Sequence, residues 1–211
     1  MTRLVVAVLA TFAVISFATL VGAQQSAQKS STAKNSSTEG QKNATAIRQR
    51  PLVLSGSIPM EGVKGRFDHF ASGEGHVFVS ALGNNTVEVI SIFGGIVEHT
   101  ITGVPNPQGV AFSPEAHKLF VASAKGKLYI YEGDSFNLIT SLDFEGGADN
   151  LRYDAATKRV YVGCGDDEKT GAIAAVDAMT NQRLDEGYKI GGEPESFQLE
   201  NSRNGLSLAY G

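Results

Sequence analysis

The chain of 211 residues has no tryptophan, one cysteine and no excess of basic residues. Without tryptophan it lacks the Trp-Asp dipeptide that marks WD repeats. The single cysteine, Cys164, excludes an intrachain disulfide, and its place after Val162 and Gly163 predicts a buried, inert thiol. The formal net charge of -4 disfavours nucleic acid as a partner, because phosphate binding needs a basic surface.

Catalytic signatures are missing as well. The sequence has no G-x-S-x-G elbow, no H-E-x-x-H and no C-x-x-C motif. The histidines are scattered through different segments at positions 69, 76, 99 and 117. Nothing here pairs a nucleophile with a base, so the sequence predicts no catalytic residue.

What the sequence does contain is a repeat. Four segments, at 77–80, 119–122, 160–163 and 206–209, share one apolar pattern, and their starts are 42, 41 and 46 residues apart. This period is typical of propeller blades or helical arrays. The segments are rich in β-branched and aromatic residues and are flanked by Gly, Asn and Lys, which favours strands. We therefore predict an all-β chain, a β-propeller of four-stranded blades.

Each blade is predicted to run from an inner strand through a core strand and a third strand to an outer strand. Hairpin signals place third strands at 86–92, 127–131 and 172–177, and outer strands at 96–101, 137–144 and 182–190. One more apolar strand is expected at 52–58. The segment from 51 to 211 spans roughly four periods of about 42 residues. It stops after the second strand of blade four, so about three and a half blades are expected to be present. We interpret it as an incomplete propeller domain, because closed four-bladed propellers are rare.

The first 50 residues are predicted to lie outside the propeller. Arg3, an apolar run at 4–21 and small residues ending at Ala23 form a signal peptide, residues 1–23. The run is also long enough for an uncleaved membrane anchor. Residues 24–50 are rich in Ser, Asn and Gln and predict a disordered linker. The protein is therefore expected to be secreted or periplasmic, with membrane contact only if the leader is retained.

Polar residues recur where each inner strand begins, and inner strands of a propeller converge on its channel. The predicted ligand-binding residues are Asp68, His69, Gln108, Asp149, Asn150 and Glu195. Among them Asp149, Asn150 and Glu195 are candidate ligands of a divalent cation, which carboxylate and amide oxygens suit. Alternatively, these groups bond channel water or cap strand edges, and His69 packs between Phe67 and Phe70. The acidic run at 166–168 is either a calcium site or a solvated turn.

Five motifs carry a family resemblance: RFDHF at 66–70, ALGNNTVEV at 81–89, PQGV at 107–110, ADNLRYD at 148–154 and PESFQLE at 194–200. Together they resemble the YVTN-type, or YncE-like, β-propeller repeats. The resemblance implies a seven-bladed, exported propeller, of which this chain is expected to be a truncated form. Most members of that family have no firmly assigned catalytic activity.

Two functions from different classes remain open. The first is an exported binding or interaction scaffold that takes a small molecule or a protein at the channel rim and needs no cofactor. The alternative is a metal-assisted hydrolase or lactonase. In that case a channel-bound divalent cation would polarise a carbonyl while a carboxylate activates water.

Overall fold

The computed structural model describes residues 2–4, 53–167, 169–184, 187–194, 196–202 and 205–210. Residues 2–4 and the described residues from 57 onward belong to one compact unit, and residues 53–56 fall outside it. The predicted leader and linker fall almost wholly outside the described residues and stay predictions. Within the described part of the chain, no helix is long and apolar enough to cross a membrane.

The first unit is built from antiparallel strands. Its first two strands, β1 (Thr2–Leu4) and β2 (Ile58–Met60), pair with each other. Blade one consists of β3 (Phe70–Gly73), β4 (His76–Ala81), β5 (Thr86–Ser91) and β6 (Ile96–Thr102). Blade two consists of β7 (Pro107–Ser113), β8 (Lys118–Ser123), β9 (Lys127–Glu132) and β10 (Leu138–Asp143).

Blade three begins with β11 (Ala148–Asp154), β12 (Arg159–Cys164) and β13 (Ala172–Asp177) and ends with two short strands, β14 (Gln182–Arg183) and β15 (Tyr188–Lys189). A further hairpin joins β16 (Phe197–Ser202) to β17 (Gly205–Tyr210). In all three blades each strand pairs with the next one along the chain, apart from β15, which returns to β13. The predicted inner-to-outer order is confirmed.

Two strand predictions need correction. The apolar run predicted as a strand at 52–58 has no regular structure from Val53 to Ser57, and β2 begins only at Ile58. Val53 and Leu54 are 78% and 64% exposed. The run has the composition of a strand, but a strand also needs a neighbouring strand to which its backbone can hydrogen-bond. The outer strand predicted at 182–190 is divided, since Gly187 has φ +80°, outside the extended range, just before β15.

Apolar side chains on both faces of each core strand hold neighbouring blades together. Along β8, Leu119 and Val121 pack with blade one, whereas Phe120 packs with blade three. Successive side chains of a strand point to opposite faces, so a continuous apolar run suits a strand that is covered on both sides. Phe78 of blade one stacks on Phe112 of blade two, with ring centroids 5.3 Å apart.

A lysine links blades two and three where their hairpins turn. Lys118 Nζ donates to the carbonyl oxygens of Ala178 and Met179, both at 2.9 Å, and to Asn181 Oδ1 at 2.8 Å. These three acceptors belong to the turn that follows β13. The contact satisfies all three donors of the ammonium group.

The inner strands approach one another closely at Gly109. Strand β7 contacts both β3 and β11, so the three inner strands lie side by side. A Cβ atom at Gly109 would lie 2.1 Å from the carbonyl oxygen of Asp149 and 2.8 Å from the nitrogen of Leu151. Both atoms belong to the backbone of β11, which cannot give way as a flexible side chain can. Only glycine fits at this contact.

The substitution Gly109→Ala is therefore expected to lower the free energy of unfolding by about 1–3 kcal/mol through overpacking. Urea denaturation followed by circular dichroism measures this change. Gly191→Ala is the matched control, because nothing lies within 4 Å of a Cβ there, and it should change stability by less than about 0.5 kcal/mol. Equal effects of the two substitutions would contradict the close approach.

Candidate functional site

Inner strands β7 and β11 each carry a β-bulge at the same position. In blade two Pro107 faces Ser123 and Val110 faces Val121, so β7 has one residue more than β8 over this stretch. In blade three Ala148 faces Cys164 and Leu151 faces Val162, with the same excess. A bulge bends its strand and redirects the side chains of the extra residues.

Blade one has the same feature just before β3. The backbone N–H of Asp68 donates to the Ser80 carbonyl at 2.9 Å, and Ser80 N–H donates to the His69 carbonyl at 3.0 Å. Two residues therefore face one, as in a bulge. Polar residues of the predicted binding set thus occupy the bulge of every complete blade.

The bulges of blades one and three bring four predicted site residues together. We call Asp68, His69, Asp149 and Asn150 the rim cluster. Ligand atoms of Asp68, His69 and Asp149 all lie within 4.8 Å of one another, and these three side chains are half-buried. Asn150 is only 3% exposed and lies with its Nδ2 3.2 Å from His69 Nε2. Two blades thus meet where the sequence predicted a shared rim.

Each hydrogen bond around His69 can be assigned a donor and an acceptor. The Arg152 guanidinium only donates, and it bonds Asn150 Oδ1 and the Leu151 carbonyl, the latter at 2.7 Å. Asn150 Nδ2 is then the donor to His69 Nε2. His69 must carry its proton on Nδ1, which lies 3.3 Å from Asp68 Oδ2 and donates to it. The network fixes one tautomer of the imidazole.

Two arginines lie beside the rim cluster. Arg66, which is 67% exposed, lies 3.7 Å from Asp68. The Arg152 guanidinium sits 5.6 Å from the centre of the Phe197 ring, and burial lowers the pKa of this group, although guanidinium stays protonated in proteins. Arg66 thus pairs with Asp68, while Arg152 donates to Asn150.

The remaining predicted residues are placed as follows. Gln108 lies half-buried in the bulge of β7, next to Gly109. Glu195, predicted as both a rim residue and a metal ligand, lies outside the described residues. Of the predicted metal set, Asn150 Oδ1 already accepts from Arg152, while Asp149 lies within reach of Asp68 and His69. This donor set of two carboxylates and an imidazole suits a divalent cation, provided that His69 exchanges one of its hydrogen bonds for it.

In the acidic run at 166–168, Asp166 and Asp167 accept hydrogen bonds from backbone N–H groups. Asp166 Oδ1 accepts from the backbone N–H of Gly147 at 2.6 Å. Asp167 Oδ1 accepts from the backbone N–H groups of Lys169 and Thr170, and these bonds lower the pKa of its carboxyl. Glu168 lies outside the described residues. The contacts support the interpretation as a solvated turn.

Cys164 ends β12 as a buried free thiol. Burial raises the pKa of this thiol, which keeps it protonated and poorly nucleophilic. The predicted burial is confirmed, and the raised pKa agrees with an inert role.

At the opposite ends of the blades, the structure gathers three histidines that the sequence left scattered. His117 Nδ1 lies 3.0 Å from Glu74 Oε2, and its Nε2 lies 3.0 Å from Asp134 Oδ1. The hydrogen bond to Asp134, aided by the charge of Glu74, raises the pKa of His117. Beside this group is a cleft of about 380 Å³, whose lining includes His76 and His99. His76 opens β4 and His117 directly precedes β8, so both stand at the start of a core strand, and this shared placement was the signal available in the sequence.

The solved structures that are similar to this chain include the following three. The designed Ika4 protein gives a TM-score of 0.58 at 17% identity over 72% of this chain and 96% of its own. Hydrazine synthase of Kuenenia stuttgartiensis gives 0.56 at 17% identity over 71% of this chain and 44% of its own. Sqt1 of Saccharomyces cerevisiae gives 0.53 at 16% identity over 61% and 34%. With the four-stranded blades and touching inner strands, these neighbours decide the architecture. The fold is a β-propeller.

At these identities the likeness concerns the fold alone. The chain spans about a third of Sqt1 and less than half of the hydrazine synthase chain. No protein-family model matches the chain, and no curated protein does either. The resemblance to YVTN-type repeats therefore stays a prediction.

We expect His69 to be the Nδ1–H tautomer, which ¹H–¹⁵N correlation of the imidazole rings measures above neutral pH. Asn150→Asp replaces the amide donor with an acceptor, so Nε2 should become protonated. Asn137→Asp is the matched control on an exposed residue and should leave the His69 signals unchanged. A wild-type His69 with its proton on Nε2 would refute the direction of the network.

Proposed function

We propose that this protein is an exported β-propeller that acts as a binding scaffold, with the rim cluster as its contact surface. The observation that carries the proposal is the recurrence of a bulge in three successive inner strands, which directs polar residues to one end of the blades. Bulges are common next to binding and active sites, where they re-aim side chains. The partner is a small molecule or a protein.

The chemistry of the rim cluster indicates what such a partner presents. Asp68 and Asp149 supply two half-buried carboxylates less than 5 Å apart. The Nδ1–H of His69 points to Asp68. A ligand with an ammonium or guanidinium group can donate charge-assisted hydrogen bonds to both carboxylates. Arg66 is mostly exposed and can swing away to admit it.

The alternative function is a metal-assisted hydrolase. The specific observation in its favour is that a carboxylate pair and an imidazole offer three ligand atoms within 4.8 Å of one another. A divalent cation held there would polarise a substrate carbonyl, with a rim carboxylate as the base for water. This function differs from the scaffold in requiring turnover.

Small amines and guanidines serve as probes of the scaffold in ligand-observed NMR. We expect Asp149→Asn to weaken their binding about tenfold or more, because it removes a charge-assisted hydrogen bond. Asp143→Asn is the matched control on an exposed carboxylate of β10 and should bind the probes like the wild type.

Probe binding that survives in Asp149→Asn would refute the rim as the contact surface, and so would a wild type that binds no probe. The same variants distinguish the hydrolase from the binding scaffold. Hydrolysis of a lactone or ester that requires added zinc or calcium, and that Asp149→Asn abolishes, would replace the scaffold with the hydrolase.

Export is tested separately. Expressed from its first residue in a secreting bacterial host, the protein should reach the periplasm with Gln24 as its new N-terminus, as read by mass spectrometry. Ala23→Arg should block cleavage, because the residue before the cut must be small. An intact leader on wild-type protein in the membrane fraction would establish the anchor instead, and intact protein in the cytoplasm would refute export.

A further inference from the structure

A second cluster of metal-ligating side chains lies at the hairpin ends of blades one and two, at the opposite ends of the strands from the rim cluster. We call Glu74, His117, Glu132 and Asp134 the hairpin cluster. His117 comes from the turn between β7 and β8, and Glu132 ends β9, with Asp134 in the turn that follows. Glu74 comes from the turn between β3 and β4 of the neighbouring blade.

Three of these residues have the composition and spacing of a metal site. Ligand atoms of His117, Glu132 and Asp134 all lie within 4.8 Å of one another. One imidazole with two carboxylates is a donor set that zinc and its neighbours in the first transition row accept. Ligand atoms around one tetrahedral zinc lie about 3.3 Å apart, and His117 Nε2 is 3.0 Å from Asp134 Oδ1.

Glu74 sets the orientation of the imidazole. His117 Nδ1–H donates to Glu74 Oε2 at 3.0 Å across the boundary between the two blades. This contact turns Nε2 toward Asp134 and Glu132. A carboxylate behind a metal-binding histidine fixes its tautomer and raises its basicity in the same way.

The turns themselves do not require these side chains. The residue just before the core strand is Gly75 in blade one, His117 in blade two and Lys158 in blade three, and all three have positive φ, at 83°, 52° and 57°. This backbone conformation is thus common to three blades, whatever the side chain. Among the described residues, only blade two combines an imidazole with two carboxylates here.

Glu132 is also longer than its role in the turn demands. Its Oε2 accepts from the backbone N–H groups of Asp134 and Ser135, at 3.2 and 2.6 Å. Ser91 and Asp177 cap the equivalent turns of blades one and three with shorter side chains. The extra methylene of Glu132 carries its carboxylate to the group around His117.

An ion can reach this cluster from solvent. The side chains of His117 and Asp134 are 35% and 83% exposed. The adjoining cleft of about 380 Å³ provides room for water to complete the coordination. A site with three protein ligands and an open position is typical of zinc sites that keep a bound water.

We propose that the hairpin cluster is a divalent-metal site of the zinc class, with His117 Nε2, Glu132 and Asp134 as ligands and Glu74 as the positioning residue. Because Glu74 belongs to blade one and the ligands to blade two, the ion ties the two blades together at their hairpin ends. This site is separate from the rim cluster and does not depend on the function proposed for it.

The experiment is calorimetric titration of zinc chloride into the full chain after treatment with a chelator, with cobalt chloride in parallel for its visible absorption bands. The wild type should bind one zinc at this site, and the cobalt bands should indicate a nitrogen and oxygen environment. His117→Gln and Asp134→Asn should each abolish this binding. Glu74→Gln should weaken it about 10–100-fold and leave the stoichiometry unchanged.

Two controls separate this site from others. Asp143→Asn removes an exposed carboxylate elsewhere in blade two, and Asp149→Asn removes a rim carboxylate, so both should retain the hairpin zinc. Thermal melts in chelator check that Asp134→Asn, at an exposed position, folds like the wild type. No zinc binding by the wild type, or binding that survives His117→Gln, would overturn the proposal, and zinc lost only in Asp149→Asn would assign the ion to the rim.

Discussion

The backbone contact between adjacent inner strands is the constraint on which the remaining structure depends. At Gly109 this contact leaves no room for a side chain, since the β11 carbonyl of Asp149 occupies the place of a Cβ. Strands this close share their apolar faces, which is why β8 is buried on both sides. The polar ends of the inner strands are drawn together by the same contact. The packing of the blades and the geometry of the rim cluster therefore both depend on the contact between inner strands.

The two ends of the blades are shaped by different kinds of contact. At the rim, bulges redirect side chains, and a one-way series of donors from Arg152 to Asp68 holds His69 in one tautomer. At the hairpin ends, side chains connect neighbouring blades, as Lys118 does for blades two and three. His117 does the same for blades one and two. One end is shaped by main-chain geometry and the other by ion pairs and hydrogen bonds.

Most of the fold could be predicted from the sequence, because a strand's alternation and a blade's period are local patterns. The core strands and the recurrent polar positions followed from them. The prediction of a strand at 52–58 was wrong, because an apolar run such as Val53 and Leu54 forms a strand only beside a partner strand, and composition does not reveal whether one is present. The bulges were also hidden, because a bulge is a mismatch between two strands. The meeting of His117 with Glu74 and Asp134 depends on turns from two blades, which no single window of sequence contains.

The order of the strands has a consequence for how the chain reaches this structure. Because every complete blade is a meander of consecutive segments, nearly all its ladder hydrogen bonds join residues that are close along the polypeptide. Loop-closure entropy is then small for each hairpin. Each blade can act as the template on which the following one condenses, so that folding proceeds along the chain by nearest-neighbour addition.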